Sequence, residues 1–113
     1  MIGRIHERRD FERLNRHGRR ARTRSLWCRY VDDPDVVPGR VAFAIGRPVG
    51  SAVVRNRLRR RLRALSSSAP FEHGDLLIGA HQSASERSFD ELRDELTVLL
   101  RDVGAVGLAG ASS

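Results

Sequence analysis

Within the ten residues Val54–Arg63, V-R-N-R-L-R-R-R-L-R, six arginines surround three aliphatic side chains. Together with Leu65, the aliphatics Val54, Leu58 and Leu62 recur at i, i+4, i+8 and i+11, the spacing of one helical stripe. At roughly 100° per residue these four fall within about 80° of one another. Asn56, Arg59, Arg60 and Arg63 project from the far side, and Arg55 and Arg57 flank the stripe. Such a segment is suited to one arrangement, a helix docked on a core by its aliphatic stripe with a nearly continuous guanidinium surface turned outward. A helix face that is merely solvated usually mixes signs to gain i,i+4 pairs, whereas here no acid occurs between Asp35 and Glu72. Arginine at this density suits phosphate, which it meets with forked, charge-assisted hydrogen bonds.

The remaining charge follows the same bias. Residues 1–63 carry 18 arginines against 6 acids and residues 64–113 carry 3 against 8, for a formal net charge of +7. One surface is therefore expected to be strongly positive and another mildly negative, a polarity suited to gripping a polyanion from one side. Every strongly basic residue is arginine, without a single lysine, which we attribute mainly to GC-rich coding. An anionic membrane would satisfy the charge equally well. However, no apolar run approaches the roughly 20 residues of a span, and the basic helix lacks an aromatic-rich apolar face for interfacial binding. The segment M-I-G-R-I-H-E-R-R-D places charges where a signal peptide needs an apolar core, so a cytoplasmic protein is expected. Cys28, the single cysteine, allows no internal disulfide and reads as a small buried hydrophobe.

At 113 residues the chain suits one domain with a modest core. Asp10, as N-cap, and Gly18 frame a short helix carrying Phe11 and Leu14. The stretch Arg19–Arg24 is too basic to bury and reads as a link. Ser25–Val31 reads as a strand with Trp27 and Arg29 on one face and Leu26, Cys28 and Tyr30 on the other, core-facing side. Turn residues at 32–35 and 38–39 bracket a connection between antiparallel strands. Val41–Ile45, nearly all apolar, is expected as a central strand with both faces covered. Ser51 is the natural N-cap of the arginine helix, expected from about Ala52 to Leu65. Asp75–Ala80 reads as a further buried strand. Ser88 and Glu91 form a capping box opening a last helix, with Phe89, Leu92, Leu96 and Leu99 on one face. The acids Asp90, Glu91, Asp94 and Glu95 would cover its outer side. From Gly104 to Ser113 the chain is rich in small residues and is expected to fray. The class is α+β with a small sheet.

Catalytic equipment is sparse. His6, His17, His73 and His81 form no ligand pattern, no glycine-rich phosphate loop is present, and Ser51 and Ser66–Ser68 have no partner for nucleophilic work. No catalytic or metal-binding residue is expected. What the chain does carry suits RNA: clustered arginines with a few planar side chains on which bases can stack. Trp27, Phe11 and Tyr30 are the candidates, each of which could equally belong to the core.

The run G-S-A-V-V-R-N-R-L-R-R-R-L-R, from Gly50 to Arg63, resembles the signature of the protein subunit of bacterial ribonuclease P. The resemblance extends through R-x-D-F at 8–11, H-G at 17–18, R-V at 40–41 and D-L-L-I-G-A at 75–80, and fades after about residue 103. It implies an αβββαβα order around a mostly antiparallel sheet, like the second domain of a small-subunit ribosomal protein, with a left-handed βαβ crossover that departs from the usual handedness. It further implies a large catalytic RNA as partner, which removes the 5′ leader of precursor tRNA by hydrolysis using Mg²⁺ held by RNA and substrate. Carried over by motif, Arg55, Arg57 and Arg60 would meet the catalytic RNA. Phe11, Trp27, Arg29, Asn56, Arg59 and Arg63 would line a cleft for the single-stranded leader. Asn15 and Arg29 stand where the family often has aromatics, suggesting that guanidinium contacts partly replace stacking. Pro48 and His81 stand where it is commonly basic. Two other readings share the charge. A non-catalytic RNA binder, such as a ribosomal protein or RNA chaperone, would not need the R-N-R order. A helix-turn-helix DNA binder is disfavoured by the flanking strands and the shortage of base-reading side chains.

Overall fold

The computed structural model describes residues 2–68 and 71–105. Its elements are β1 (Gly3–Arg4), α1 (Arg8–His17), β2 (Arg19–Arg22), β3 (Leu26–Val31), β4 (Arg40–Ala44), α2 (Ala52–Ser68), β5 (Asp75–Ala80) and α3 (Phe89–Asp102). The strands form one mixed sheet in the order β1-β4-β5-β3-β2. β3 is antiparallel to both β2 and β5, while β4 is parallel to β5 and β1. The strands on either side of the 32–39 turns therefore do run in opposite directions, but β5 lies between them. β5 takes the centre because Asp75–Gly79 is buried on both faces, and only a strand with two neighbours can be covered that way. α2 carries the chain from β4 across to its parallel neighbour β5.

β4 is less enclosed than its composition suggests. Val41 is buried and its other residues only partly so, because β1 pairs with Arg40 and Val41 alone. Past Val41 the outer side of β4 has no strand partner among the described residues.

The sheet has two unequal cores. On one face, Leu26, Cys28, Tyr30 and Ile78 pack under the leucine stripe of α2 and Leu92, Leu96 and Leu99 of α3. On the other, α1 seats Leu14 against Val31 and Leu77, with Ile5 beside them. Each fully buried leucine contributes roughly 1.5–3 kcal/mol. Cys28 is 1% exposed, and burial pushes its thiol up to about 12, which keeps it inert. Tyr30 is likewise core, its hydroxyl donating to the His73 carbonyl at 2.9 Å, so it offers no stacking surface.

Several local expectations change. α1 begins at Arg8 with Glu7 as N-cap, and Asp10 instead lies inside the first turn, buried 3.3 Å from the Arg40 guanidinium. An ion pair with a residue far along the chain has displaced a local cap. Gly18 has φ −66°; it is needed because a Cβ there would stand 2.4 Å from the Leu14 carbonyl oxygen. The supposed link at 19–24 supplies β2, an outermost strand that sends only Ala21 towards the core. α2 is capped as expected by Ser51, whose Oγ accepts from the Val54 N–H at 3.3 Å. It runs on to Ser68, with Ser66 and Ser68 donating back to the carbonyls of Leu62 and Leu65.

The Ser88–Glu91 capping box forms as expected, but Phe89 is 41% exposed and Leu100 and Val103 complete the buried face. Glu95 turns inward rather than covering the outside. It accepts hydrogen bonds from the Thr23 hydroxyl and the Ser25 N–H. Gly104, at φ 75°, and Ala105 belong to the helix cap, their N–H groups bonding the Arg101 and Leu100 carbonyls. The rest of the expected tail, 106–113, lies outside the described residues.

Candidate RNA interface

Strand alternation sends Trp27 and Arg29 of β3, Leu77 and Gly79 of β5, and Ala42 and Ala44 of β4 to the α1 face. α1 covers only part of that face, with Phe11 half-buried along its margin beside the Leu14 cluster. The uncovered part has a floor of small residues and one aromatic. Trp27 lies over Gly79 so closely that a Cβ there would come within 1.8 Å of the indole. The Arg29 guanidinium carbon sits 5.4 Å from the Trp27 ring centre, within cation–π range. Arg29 also donates to the side-chain oxygen of Asn15 on α1. The two departures from the family's aromatics are thus each other's partners.

On the opposite face, α2 buries Leu58, Leu62 and Leu65 and presents the arginines. Among the described residues, ion pairs fall on Arg8, Arg9, Arg13, Arg19, Arg40, Arg87 and Arg93, and on none of the six arginines of α2. Their charge is left for a partner. The Asn56–Arg59–Arg63 set holds together as a flank: Arg59 donates to the Asn56 side chain at 2.9 Å, and Arg63 lies 5.1 Å over the Phe43 ring of β4. The expected Arg55–Arg57–Arg60 set does not. Arg57 and Arg60 are exposed, but Arg55 is half-buried, with its Nε shielded and without an acceptor. It lies one turn before Arg59, i to i+4, and so shares the flank of Arg59 and Arg63.

The sheet separates Trp27 and Arg29 from α2. The two groups connect around the open side of β4, where Phe43 and Arg63 meet on one face and Ala42 and Ala44 floor the other. A single strand crossing the α1 face from Trp27 over Gly79 and Ala44 would reach that side and then the Asn56–Arg59–Arg63 flank. Pro48 sits in a short 3₁₀ turn at Arg47–Val49. His81 lines a shallow depression with Trp27, Arg29, Arg20 and Arg22. Gly79 and the two β2 arginines are not among the residues singled out by sequence. The signal for the latter is the lone alanine in R-R-A-R, the only residue of that run fit to face a core. No helix among the described residues is long and apolar enough to cross a membrane.

A sheet with an open, aromatic-bearing face and an arginine helix without ion-pair partners define a small α+β protein with a surface suited to a polyanion. The comparisons specify which kind. Residues 3–104 match the family model described as Ribonuclease P, and the chain belongs to this family, the protein components of a ribonucleoprotein endoribonuclease. It is 32% identical over 108 residues to the ribonuclease P protein component of Gluconacetobacter diazotrophicus, covering 92% of this chain and 93% of that one. It is 38% identical over 96 residues to the component of Thermus oshimai, covering 85% of this chain but only 61% of the relative's length. The fold is that of the ribonuclease P protein of Staphylococcus aureus, with a TM-score of 0.81 at 20% identity over 92% of this chain and 97% of that one. The protein of Thermotoga maritima gives 0.73 at 23% identity, covering 87% and 94%. Family membership implies an RNA subunit as partner.

Proposed function

We propose that this chain binds the catalytic RNA of ribonuclease P and the 5′ leader of precursor tRNA, assisting endonucleolytic release of the leader to give the mature 5′ end. The observation that carries the proposal is the placing of two arginine groups without ion-pair partners, Arg29 beside Trp27 on the α1 face and the arginines of α2, at the two ends of one uncovered path over β5 and β4. In this reading the free face of Trp27 takes a leader base. Arg29, steadied by Asn15, supports that base or its phosphate, and Phe11 forms the wall on α1. Asn56, Arg59 and Arg63 hold the strand beyond β4. Arg57 and Arg60, on the exposed side, engage the catalytic RNA, with Arg55 at the boundary between the two surfaces.

Hydrolysis is assigned to the RNA and to Mg²⁺ bound by RNA and substrate. Among the described residues no three His, Cys, Asp or Glu side chains cluster as a metal site would require, and the proposal places no metal on this chain. The setting is the cytoplasm, where precursor tRNA is made, with neither membrane nor DNA as a partner.

The test is precursor-tRNA cleavage by the cognate catalytic RNA at low Mg²⁺, with and without the protein. Stimulation is expected, and its absence would overturn the proposal in favour of a ribosomal protein or RNA chaperone. In the same assay the Arg59→Ala/Arg63→Ala variant should lose about tenfold in affinity for leader-bearing precursor, roughly 1.4 kcal/mol, and much less for mature tRNA. Equal losses would contradict the placement of the leader on that flank.

A further inference from the structure

β2 carries two different sets of arginine contacts on its two faces. Arg19 points to the α3 side, where it donates to the Val103 carbonyl at 2.9 Å and lies 3.8 Å from Asp32. Its neighbour on that face, Ala21, packs on the core. These two hold the strand in place. Arg20 and Arg22 alternate to the other face, opposite Arg29 and Trp27 respectively in the β2–β3 register. The result is a block of three guanidiniums and one indole on adjacent strands.

Like charges directly opposite each other across a ladder are destabilising, and Arg20 and Arg29 are such a pair. Among the described residues no acid pairs with Arg20, Arg22 or Arg29. Among the described residues the compensation for Arg20 is a 3.4 Å hydrogen bond to the Asn15 carbonyl at the end of α1. Charge on an outermost strand does help to block pairing with other chains, but that purpose does not call for two arginines directly opposite each other in the ladder beside a half-buried indole. It is an arrangement that a phosphate backbone would neutralise.

We infer that Arg20 and Arg22 form a phosphate-binding extension of the leader site, carrying the single strand off the sheet on the β2 side. This rests on the proposal that the α1 face holds the leader, and it adds the strand's exit and direction. From the open side of β4 the strand crosses three inter-strand gaps to reach β2, about 14 Å. Trp27 stands before the last gap, with His81 beside the depression that the extension occupies. Arg20 and Arg22 then engage nucleotides that only a longer leader supplies.

The test compares holoenzymes assembled with wild-type, Arg20→Ala/Arg22→Ala and Trp27→Ala proteins, each on precursors with a leader of about two or about eight nucleotides, within the range a basic groove can track. Both β2 side chains are exposed, so the double variant should fold normally. It is expected to bind the long-leader precursor about tenfold more weakly, with a shallower salt dependence, and the short-leader precursor unchanged. Equal losses at both lengths would assign the two arginines to the tRNA body or catalytic RNA and overturn the inference. If Trp27→Ala weakens leader binding but the β2 variant loses nothing, the leader site stands and its extension falls. If neither variant affects leader binding, both readings fail.

Discussion

The indole of Trp27 occupies the space above Gly79 that any other residue at position 79 would need for its Cβ. The backbone of β5 is thereby part of the aromatic platform, and the platform's height above the sheet is set by the absence of a side chain.

Replacing Gly79 with alanine should force the indole up or aside at a cost of about 1–3 kcal/mol, the usual penalty of overpacking. Trp27 is the chain's single tryptophan, so its fluorescence reports the displacement without ambiguity. We expect an altered emission maximum together with a lower denaturation midpoint. Wild-type emission in a stable Gly79→Ala protein would show that the contact is not constraining.

The Arg40 guanidinium bonds both oxygens of Asp75 at 2.8 and 2.9 Å and also faces Asp10. It thereby ties α1 to β4 and β5. Arg40→Met would leave Asp75, 1% exposed, as an uncompensated buried charge. The expected loss is about 3–5 kcal/mol in urea denaturation. Asp75→Asn, which keeps a hydrogen-bond acceptor for Arg40, should lose less. Equal losses would argue that packing alone holds this corner.

Burial works to raise the Glu95 carboxyl, but hydrogen bonds from Thr23 and Ser25 and the nearby Arg87 outweigh it and hold the group below the ordinary carboxylate range. A folded-state value below the unfolded one stabilises the protein above the unfolded carboxylate range, and the gain is lost as pH falls through the folded value. Glu95→Gln should therefore cost about 2 kcal/mol near neutrality and progressively less in acid, where wild type and variant converge. Thermal melts across that range would show parallel curves if Glu95 were merely a surface charge.

Arg57 and Arg60 project from the exposed side of α2, and Arg55 does not. Replacing Arg57 and Arg60 together with alanine should flatten the salt dependence of assembly with the catalytic RNA, the slope falling by roughly one for each phosphate left without its arginine. Arg55→Ala should leave that slope nearly unchanged. Titrations at several salt concentrations would separate the two, and an unchanged slope in the double variant would contradict the assignment.

What could be read in the sequence was periodic. The stripe Val54–Leu58–Leu62–Leu65 and the alternation that turns Trp27 and Arg29 away from Leu26, Cys28 and Tyr30 are fixed by local spacing, and both are as expected except that Val54, at the start of the helix, is only half-buried. The features that escaped depend on partners far along the chain. Asp10 looks like a cap until Arg40 is beside it, and Glu95 looks like a surface acid until the Thr23–Ser25 turn meets it. β2 escaped because an outermost strand needs only one core-facing residue, so its arginines obscured the pattern. Arg55 was grouped by the R-N-R order, although its angle on the helix places it with Arg59.

The floor between Trp27 and the open side of β4 is built from Gly79, Ala44 and Ala42, which offer methyl groups and backbone but no side chain able to donate or accept a hydrogen bond. Such a floor has nothing with which to distinguish one base edge from another. Any discrimination among bases must then come from the polar groups at its two ends, Arg29 with Asn15 on one side and Asn56 with Arg59 on the other. Under the proposed function, the middle of a leader laid across this floor is held by its shape and charge alone, and selection among leaders falls to the two ends of the crossing.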